Sequence, residues 1–446
     1  MGPLNFLTRT ELEKYGPPTP EELEEVGLSL PLLRDLALKQ LAALHISTAQ
    51  RVADELRLPC ALIDEVLYQL YQEELIEMRV PTGNNESQYV MRKAGWKRVT
   101  QLRANNGYLG PAPVSLADYS YMMRLQANPT RPATLETVRD AYKDLVLPDS
   151  LLYTIGCAIN SRSSLFLSGR PGMGKTAVSE RINGSLFGSI WIPYAVAVEG
   201  VIIRIFDEHC HRPLREKSEV GERDHRWIAI ERPLVMAGTE LTLDHTDLTW
   251  SESGRFYEAP VQLKANCGTL VIDDFGRQRS QTRELFNRWI MPLERRMDSL
   301  TLRSGKKIEV PFEELVVFAT NLDEEWPIDE AFLRRMGYRA HLEPPTNEAY
   351  IEIFNRVANE RQMKVNQTSL NHLLKKYAGE KRSFRSCEPR DLANRIVDIC
   401  KFRGCVTDLT PELIDLAWNH YFGKVQGLSH STDAAAIAAE SAAAAS

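Results

Sequence analysis

Apolar positions near the start of the chain recur at helical spacing and then switch to alternation. Leu32, Leu33, Leu36, Leu38, Leu41 and Leu44 predict a helix over 31–44. Ser47 or Thr48 is placed to cap a second helix over 49–56, and Arg57-Leu58-Pro59 reads as a turn. Leu62, Ile63, Val66, Leu67 and Leu70 give a third helix over 60–74 one buried face. The pattern then becomes strand-like over 76–80 and 88–91, around a polar tip with Gly83-Asn84-Asn85. A further helix is predicted over 94–105. Three helices followed by a hairpin resemble a winged helix-turn-helix, which makes 1–105 a candidate partner-recognition domain. Residues 1–29, rich in Glu and Pro, read as a loose lead-in. The Gly and Pro of 106–133 read as a linker, in which 116–126 could carry a short helix.

Short, wholly apolar runs mark the middle of the chain as a different kind of structure. After a helix over 145–160, strands are expected at 165–168, 190–196, 201–206, 227–236, 269–272 and 315–320. Strands buried on both faces and interleaved with helices imply an α/β domain with a parallel sheet, here over 134–344. Four helical stretches follow, at 347–360, 368–377, 389–402 and 411–422, forming a small helical domain over 345–424. The Ala/Ser-rich end, 425–446, has no core-forming stripe and reads as disordered.

The first of the buried strands runs into Gly169-Arg170-Pro171-Gly172-Met173-Gly174-Lys175-Thr176. Gly, four residues, Gly-Lys-Thr between a strand and a helix is the P-loop pattern. Its glycines let successive amides turn towards phosphate oxygens, and the next helix offers its positive end. Gly169, Pro171, Gly172, Met173, Gly174, Lys175, Thr176 and Ala177 are therefore the candidate nucleoside triphosphate cradle. Lys175 is assigned to the β- and γ-phosphates and Thr176 to Mg²⁺. The strand 269–272 ends in Asp273-Asp274. A carboxylate pair at that point suits the metal on one side, Asp273, and the attacking water on the other, Asp274. The strand 315–320 ends in Asn321, whose amide can bridge γ-phosphate and water. Arg334-Arg335 closes a predicted helix end.

Composition narrows the setting. The chain has 446 residues, enough for about three domains. A hydrophobic fraction of 43%, a charged fraction of 26% and a net charge of −6 are those of an ordinary globular protein. No apolar run is long enough for a bilayer, and the first residues lack a signal-peptide pattern. Seven scattered cysteines without a C-x-x-C pair suggest free thiols in a reducing cytoplasm. His209-Cys210-His211 looks metal-like, but adjacent residues cannot all face one ion. Charge also bears on the first domain. Residues 1–120 hold 12 Lys/Arg against 16 Asp/Glu, and the third helix offers Asp64, Glu65, Glu73 and Glu74 with no cation. Such a helix repels phosphates, so the domain reads as docking protein in preference to DNA. Arg92, Lys93, Lys97, Arg98 and Arg103 gather after the hairpin and could touch a nucleic-acid backbone.

Taken in order, the P-loop, Asp273-Asp274, Asn321 and Arg334-Arg335 resemble the AAA+ ATPases. The resemblance implies Mg·ATP hydrolysis in a homo-oligomeric ring, usually a hexamer, in which Arg334 or Arg335 enters a neighbour's site. The sequence does not separate the two arginines; Arg335 is the first choice. The resemblance also implies a helical lid in which Arg390, after Cys387-Glu388-Pro389, faces the γ-phosphate, with Lys381, Arg382 and Arg385 as alternatives. The family typically has Asp-Glu where this chain has Asp273-Asp274, a side chain one methylene shorter, which puts the rate in question. A hairpin over 298–310 resembles the branch containing sigma-54 activators and magnesium chelatases, though the activators' loop signature is absent. Trp250, Phe256 and Tyr257 either grip a partner or pack in the core. Two functions stand: a ring ATPase that remodels or loads a macromolecular, preferably protein, partner; or an ATP-dependent DNA-binding switch or scaffold with little hydrolysis.

Overall fold

The computed structural model describes residues 4, 7–80, 87–186, 188–214, 223–321 and 334–423. The hairpin tip, most of the stretch before Arg334 and the Ala/Ser-rich end lie outside these. The chain divides into two compact units, Met1–Pro171 with Lys175–Leu342, and Gly172–Gly174 with Glu343–Ser446.

In the first unit, helices Leu30–Leu44, Ala49–Leu56 and Cys60–Gln72 enclose a core of Leu33, Leu36, Val52, Ile63, Val66 and Leu67. Thr48 caps the second of them by accepting from the Arg51 amide. Strands Ile76–Arg79 and Gln88–Met91 pair antiparallel, and Ile46–Thr48 adds a third strand against Gln88–Met91. That third strand is too short to announce itself in the sequence. The lead-in is more ordered than its composition suggests. Arg9–Tyr15 is a helix closed by a capping box between Thr8 and Glu11, and Leu12 and Val26 are buried.

Residues 106–133 are not a spacer. Val114–Ser115 joins a sheet beside Val196 and Ala197, and helix Leu116–Gln126 buries Tyr119, Met122 and Met123. Three buried cations hold the backbone of this stretch. Lys39 Nζ donates to the carbonyls of Asn106 (3.1 Å) and Tyr108 (2.8 Å). Arg226 donates to Pro113 (3.3 Å) and Val26 (2.7 Å) while paired with Asp224 (2.7 Å). Arg232 donates to Gln126 (2.9 Å), Asn128 (2.8 Å) and Cys267. Irregular backbone can be buried only if its carbonyls find donors, and these side chains supply them. Burial drives the Lys39 pKa down to about 8 and lowers that of Arg232.

The central sheet is five-stranded and parallel, in the order Leu234–Ala237, Thr269–Ile272, Leu315–Thr320, Leu165–Gly169, Tyr338–Leu342. The last residues of its three inner strands therefore emerge on one edge, where Gly169, Ile272 and Thr320 lead into the candidate site. The expected strand over 190–196 does not belong here. It splits into Ser189–Pro193, paired with Trp227–Glu231, and Ala195–Val198, in a second sheet with Val201–Arg204 and Phe256–Glu258. The run 227–236 also divides, at Pro233, and only its second half enters the central sheet. The helix before the P-loop begins at Asp149, and Leu135–Ala141 is a helix of its own.

Met297–Thr301 and Lys307–Pro311 form the expected antiparallel hairpin. Of the three aromatics read as a possible grip, Tyr257 is buried against Trp250 and accepts the Arg303 amide at 2.8 Å. Phe256 meets Tyr108 edge-on at 5.6 Å. Core packing accounts for both. Beyond the hairpin, Glu314 is 1% exposed and, among the described residues, neither carboxylate oxygen has a hydrogen-bond partner in another residue. Burial raises its pKa well above 4.5, helped by Asp298 and Glu313 and opposed by Arg296. The folded state is thus favoured by this group below pH 4.5, and the advantage is lost as pH rises through the folded pKa. Glu314→Met is expected to raise stability by about 1–3 kcal/mol, more at pH 8 than at pH 5. Urea midpoints at the two pH values check this; equal gains at both would contradict it.

The second unit is helical: Asn347–Glu360, Gln367–Gly379, Glu388–Arg403 and Pro411–Phe422. Thr346, Asn366 and Thr410 cap three of them. Tyr350, Phe354, Tyr377 and Trp418 fill the core, and Tyr377 donates to the buried Glu388 at 2.8 Å.

Candidate functional site

Three strand ends converge on Lys175. Its side chain is 6% exposed, and Nζ donates to the carbonyls of Gly169 (2.7 Å) and Arg170 (3.0 Å) and to Asn321 Oδ1 (2.5 Å). Burial lowers the Lys175 pKa, opposed by the charges of Asp273 and Asp274 and assisted by Arg277. The amide of Asn321 donates to Asp274 Oδ1. One side chain therefore bridges the P-loop cation and the second carboxylate. Thr176 Oγ1 donates to Asp273 Oδ2 at 2.7 Å. Hydroxyl and carboxylate oxygens side by side are the hard donors that Mg²⁺ takes.

The backbone explains why these residues meet. Gly169, Gly172 and Gly174 have φ of 150°, 85° and 91°, a run that L side chains do not follow. A side chain on Gly169 would place Cβ 2.8 Å from the Leu342 carbonyl. Helix Lys175–Glu180 starts immediately after. Asp274 itself is left-handed, with φ 48°, at a cost of about 1 kcal/mol. The turn is held from outside. Phe275 N–H donates to Ala319 (2.7 Å), and Asp273 N–H donates to Ala237 (2.8 Å). Gln278 Nε2 donates to the Asp273 carbonyl (3.0 Å), and its Oε1 accepts from Gly276 N–H (2.8 Å). Gln278 was invisible in the sequence, because a polar residue in a turn carries no sign of what it supports.

The other expected residues fall as follows. Pro171 and Ala177 flank the glycine turn and the helix start. Met173 is buried, and it belongs with Gly172 and Gly174 to the second unit, where Gly172 O accepts the Cys387 amide at 3.0 Å. Arg390 lies on helix Glu388–Arg403 with its side chain 64% exposed, 3.6 Å from Asp391. Arg334 is exposed, while Arg335 is half-buried and pairs with Glu294 at 3.3 Å. The pair lines an open cavity of about 570 Å³ with Leu293 and Glu294. His209-Cys210-His211 does not gather its side chains. His211 Nδ1 accepts the Asp207 amide (3.0 Å), so Nε2 carries the proton donated to the Lys264 carbonyl (2.9 Å), and burial lowers its pKa. All seven cysteines are free thiols. Among the described residues, no helix is long and apolar enough to cross a membrane.

Residues 346–420 match a family described as a domain of unknown function, DUF8689. No curated protein matches the chain. Among solved structures it is similar to a mutant of Thermotoga maritima RuvB, with 12% identity, 71% of this chain and 75% of that one covered, and a TM-score of 0.37. It is also similar to Brucella abortus NtrX, with 14% identity, 62% and 57% coverage and a TM-score of 0.40. NtrX in complex with ADP gives 13%, 68% and 61%, with a TM-score of 0.40.

Proposed function

We propose that the chain is a cytoplasmic AAA+ ATPase that binds and hydrolyses Mg·ATP in a homo-oligomeric, hexameric ring and remodels or loads a protein partner. The observation that carries this reading is the convergence of Lys175, Asn321 and Asp274 beside the Thr176–Asp273 pair. In it, Lys175 exchanges its carbonyl and amide partners for β- and γ-phosphate oxygens. Thr176 and Asp273 hold Mg²⁺, which when bound neutralises charge on the transferring phosphoryl group. Asp274 orients the attacking water, and Asn321 keeps Asp274 registered against Lys175. Residues 1–105 act as a winged helix that selects the partner, and 345–424 act as the lid, with Arg390 its candidate phosphate contact. Asp274, in place of the longer glutamate, favours slow turnover. It also keeps open the second reading, a DNA-binding switch with little hydrolysis.

Of the arginine pair, Arg334 is the one we assign to the neighbouring subunit's site, since it is the more exposed of the two. Arg334→Ala is expected to lower the rate of ATP hydrolysis by roughly 10³-fold and Arg335→Ala by less than about tenfold. Mixing Arg334→Ala with Lys175→Ala protein is expected to restore turnover, because the intact Arg334 of one subunit serves the intact Lys175 of the next. Steady-state phosphate release reads both effects. A mixture no more active than its components would rule out a shared site.

A further inference from the structure

The small N-terminal domain has two charged faces, and the acidic third helix is only one of them. From Arg92 to Ala117 the sequence contains no acidic residue. Helix Lys93–Asn105 runs through this stretch. Its inner side is fixed by Gly95 and Val99, which are buried. A Cβ on Gly95 would lie 2.2 Å from the Leu75 carbonyl, and Arg92 N–H donates to the same oxygen at 3.0 Å. The helix therefore sits directly on the backbone ahead of the hairpin and cannot roll. With Gly95 and Val99 inward, Lys93, Trp96, Lys97, Thr100 and Arg103 share the outward face, at spacings of three and four. All five are exposed, Trp96 to 40%. His45 extends the aromatic surface, 6.1 Å from Trp96 between ring centres.

Several other cations of this domain are engaged in ion pairs: Arg34 with Glu73, Arg79 with Glu77 and Arg98 with Asp35. Arg92, Lys93, Lys97 and Arg103 have no ion pair among the described residues. Four cations without an ion pair, three of them exposed, thus share one short stretch of chain with an exposed indole. Together they match what a single nucleic-acid strand presents: phosphates at regular spacing and bases with open π-faces. A structured duplex reader would use the third helix, and that helix is acidic.

We propose that the outward face of Lys93–Asn105 binds single-stranded nucleic acid, with Trp96 stacking on a base and Arg92, Lys93, Lys97 and Arg103 on the backbone. This face is separate from the nucleotide site and does not depend on the ATPase reading. The test is fluorescence anisotropy of a labelled oligothymidylate with the full chain, without ATP, over a salt series. Binding is expected at low salt, with log K falling against log salt at a slope of about −3, from four cations at about 0.7 each. Lys93→Glu with Lys97→Glu is expected to abolish binding. Trp96→Ala is expected to weaken it about tenfold with the slope retained. Lys175→Ala is expected to bind like wild type. The exposed positions make these variants safe for folding, which thermal unfolding checks. Absence of binding at low salt would overturn the proposal, as would full binding by the double variant. So would polyglutamate competing on equal terms while Trp96→Ala changes nothing, which would mark the face as a site for acidic protein.

Discussion

Asp224→Ala is expected to destabilise the first unit by about 3–5 kcal/mol, enough to threaten folding at ordinary temperatures. Asp224 and Arg226 are each 4% exposed at the side chain and form a close pair, with Nε and Nη2 of the arginine both on the carboxylate. Arg226 also reaches the carbonyls of Val26 and Pro113, and the Asp224 amide donates to Pro17 at 2.8 Å. Removing the carboxylate leaves a buried guanidinium uncompensated and releases three stretches of chain at once: the lead-in, the segment before Val114 and the strand beginning at Trp227. The expected result in urea is a large drop in midpoint, with early cleavage by protease near residues 106–133. A loss below about 1 kcal/mol would show that water reaches Arg226 and that the pair does not hold these stretches together.

Lys175→Ala is expected to abolish ATP binding at concentrations where wild type saturates. The ammonium is nearly buried and sits where the strand ends meet. The substitution also removes the donor to the Gly169 and Arg170 carbonyls and to Asn321, which loosens Asn321 from Asp274. Titration calorimetry with Mg·ATP reads the effect directly. Binding within about tenfold of wild type would mean that the glycine turn and helix start hold the phosphates without the lysine.

The candidate nucleotide site is the most legible part of the sequence because each of its parts is local. Gly169 to Thr176 spell out a backbone path, and Asp273-Asp274 and Asn321 stand at the ends of runs whose apolarity marks buried strands. What the sequence hid is long-range. Residues 106–133 look like a linker by composition, since Gly and Pro are dense there. The donors that bury their backbone are Lys39, Arg226 and Arg232, two of them about a hundred residues away in sequence from the carbonyls they meet. The edge strand of the central sheet, Leu234–Ala237, was blurred for another reason: it is four residues long and merges with the run before Pro233. Gln278, Glu314 and the φ of Asp274 likewise depend on neighbours that no spacing rule supplies.

Asp274 is where chemistry and geometry meet most sharply. It is held in a left-handed turn and tied to Asn321, so its position is set by backbone and amide together, not by reach alone. On the proposed reading, turnover is expected, though slow, because the side chain is one methylene shorter than glutamate.

The most direct test of the central claim is steady-state phosphate release from Mg·ATP by wild type and Lys175→Ala over a range of protein concentrations. The account predicts a wild-type rate above the Lys175→Ala background, with activity per subunit rising as concentration favours assembly. A wild-type rate equal to that background at every concentration would contradict it.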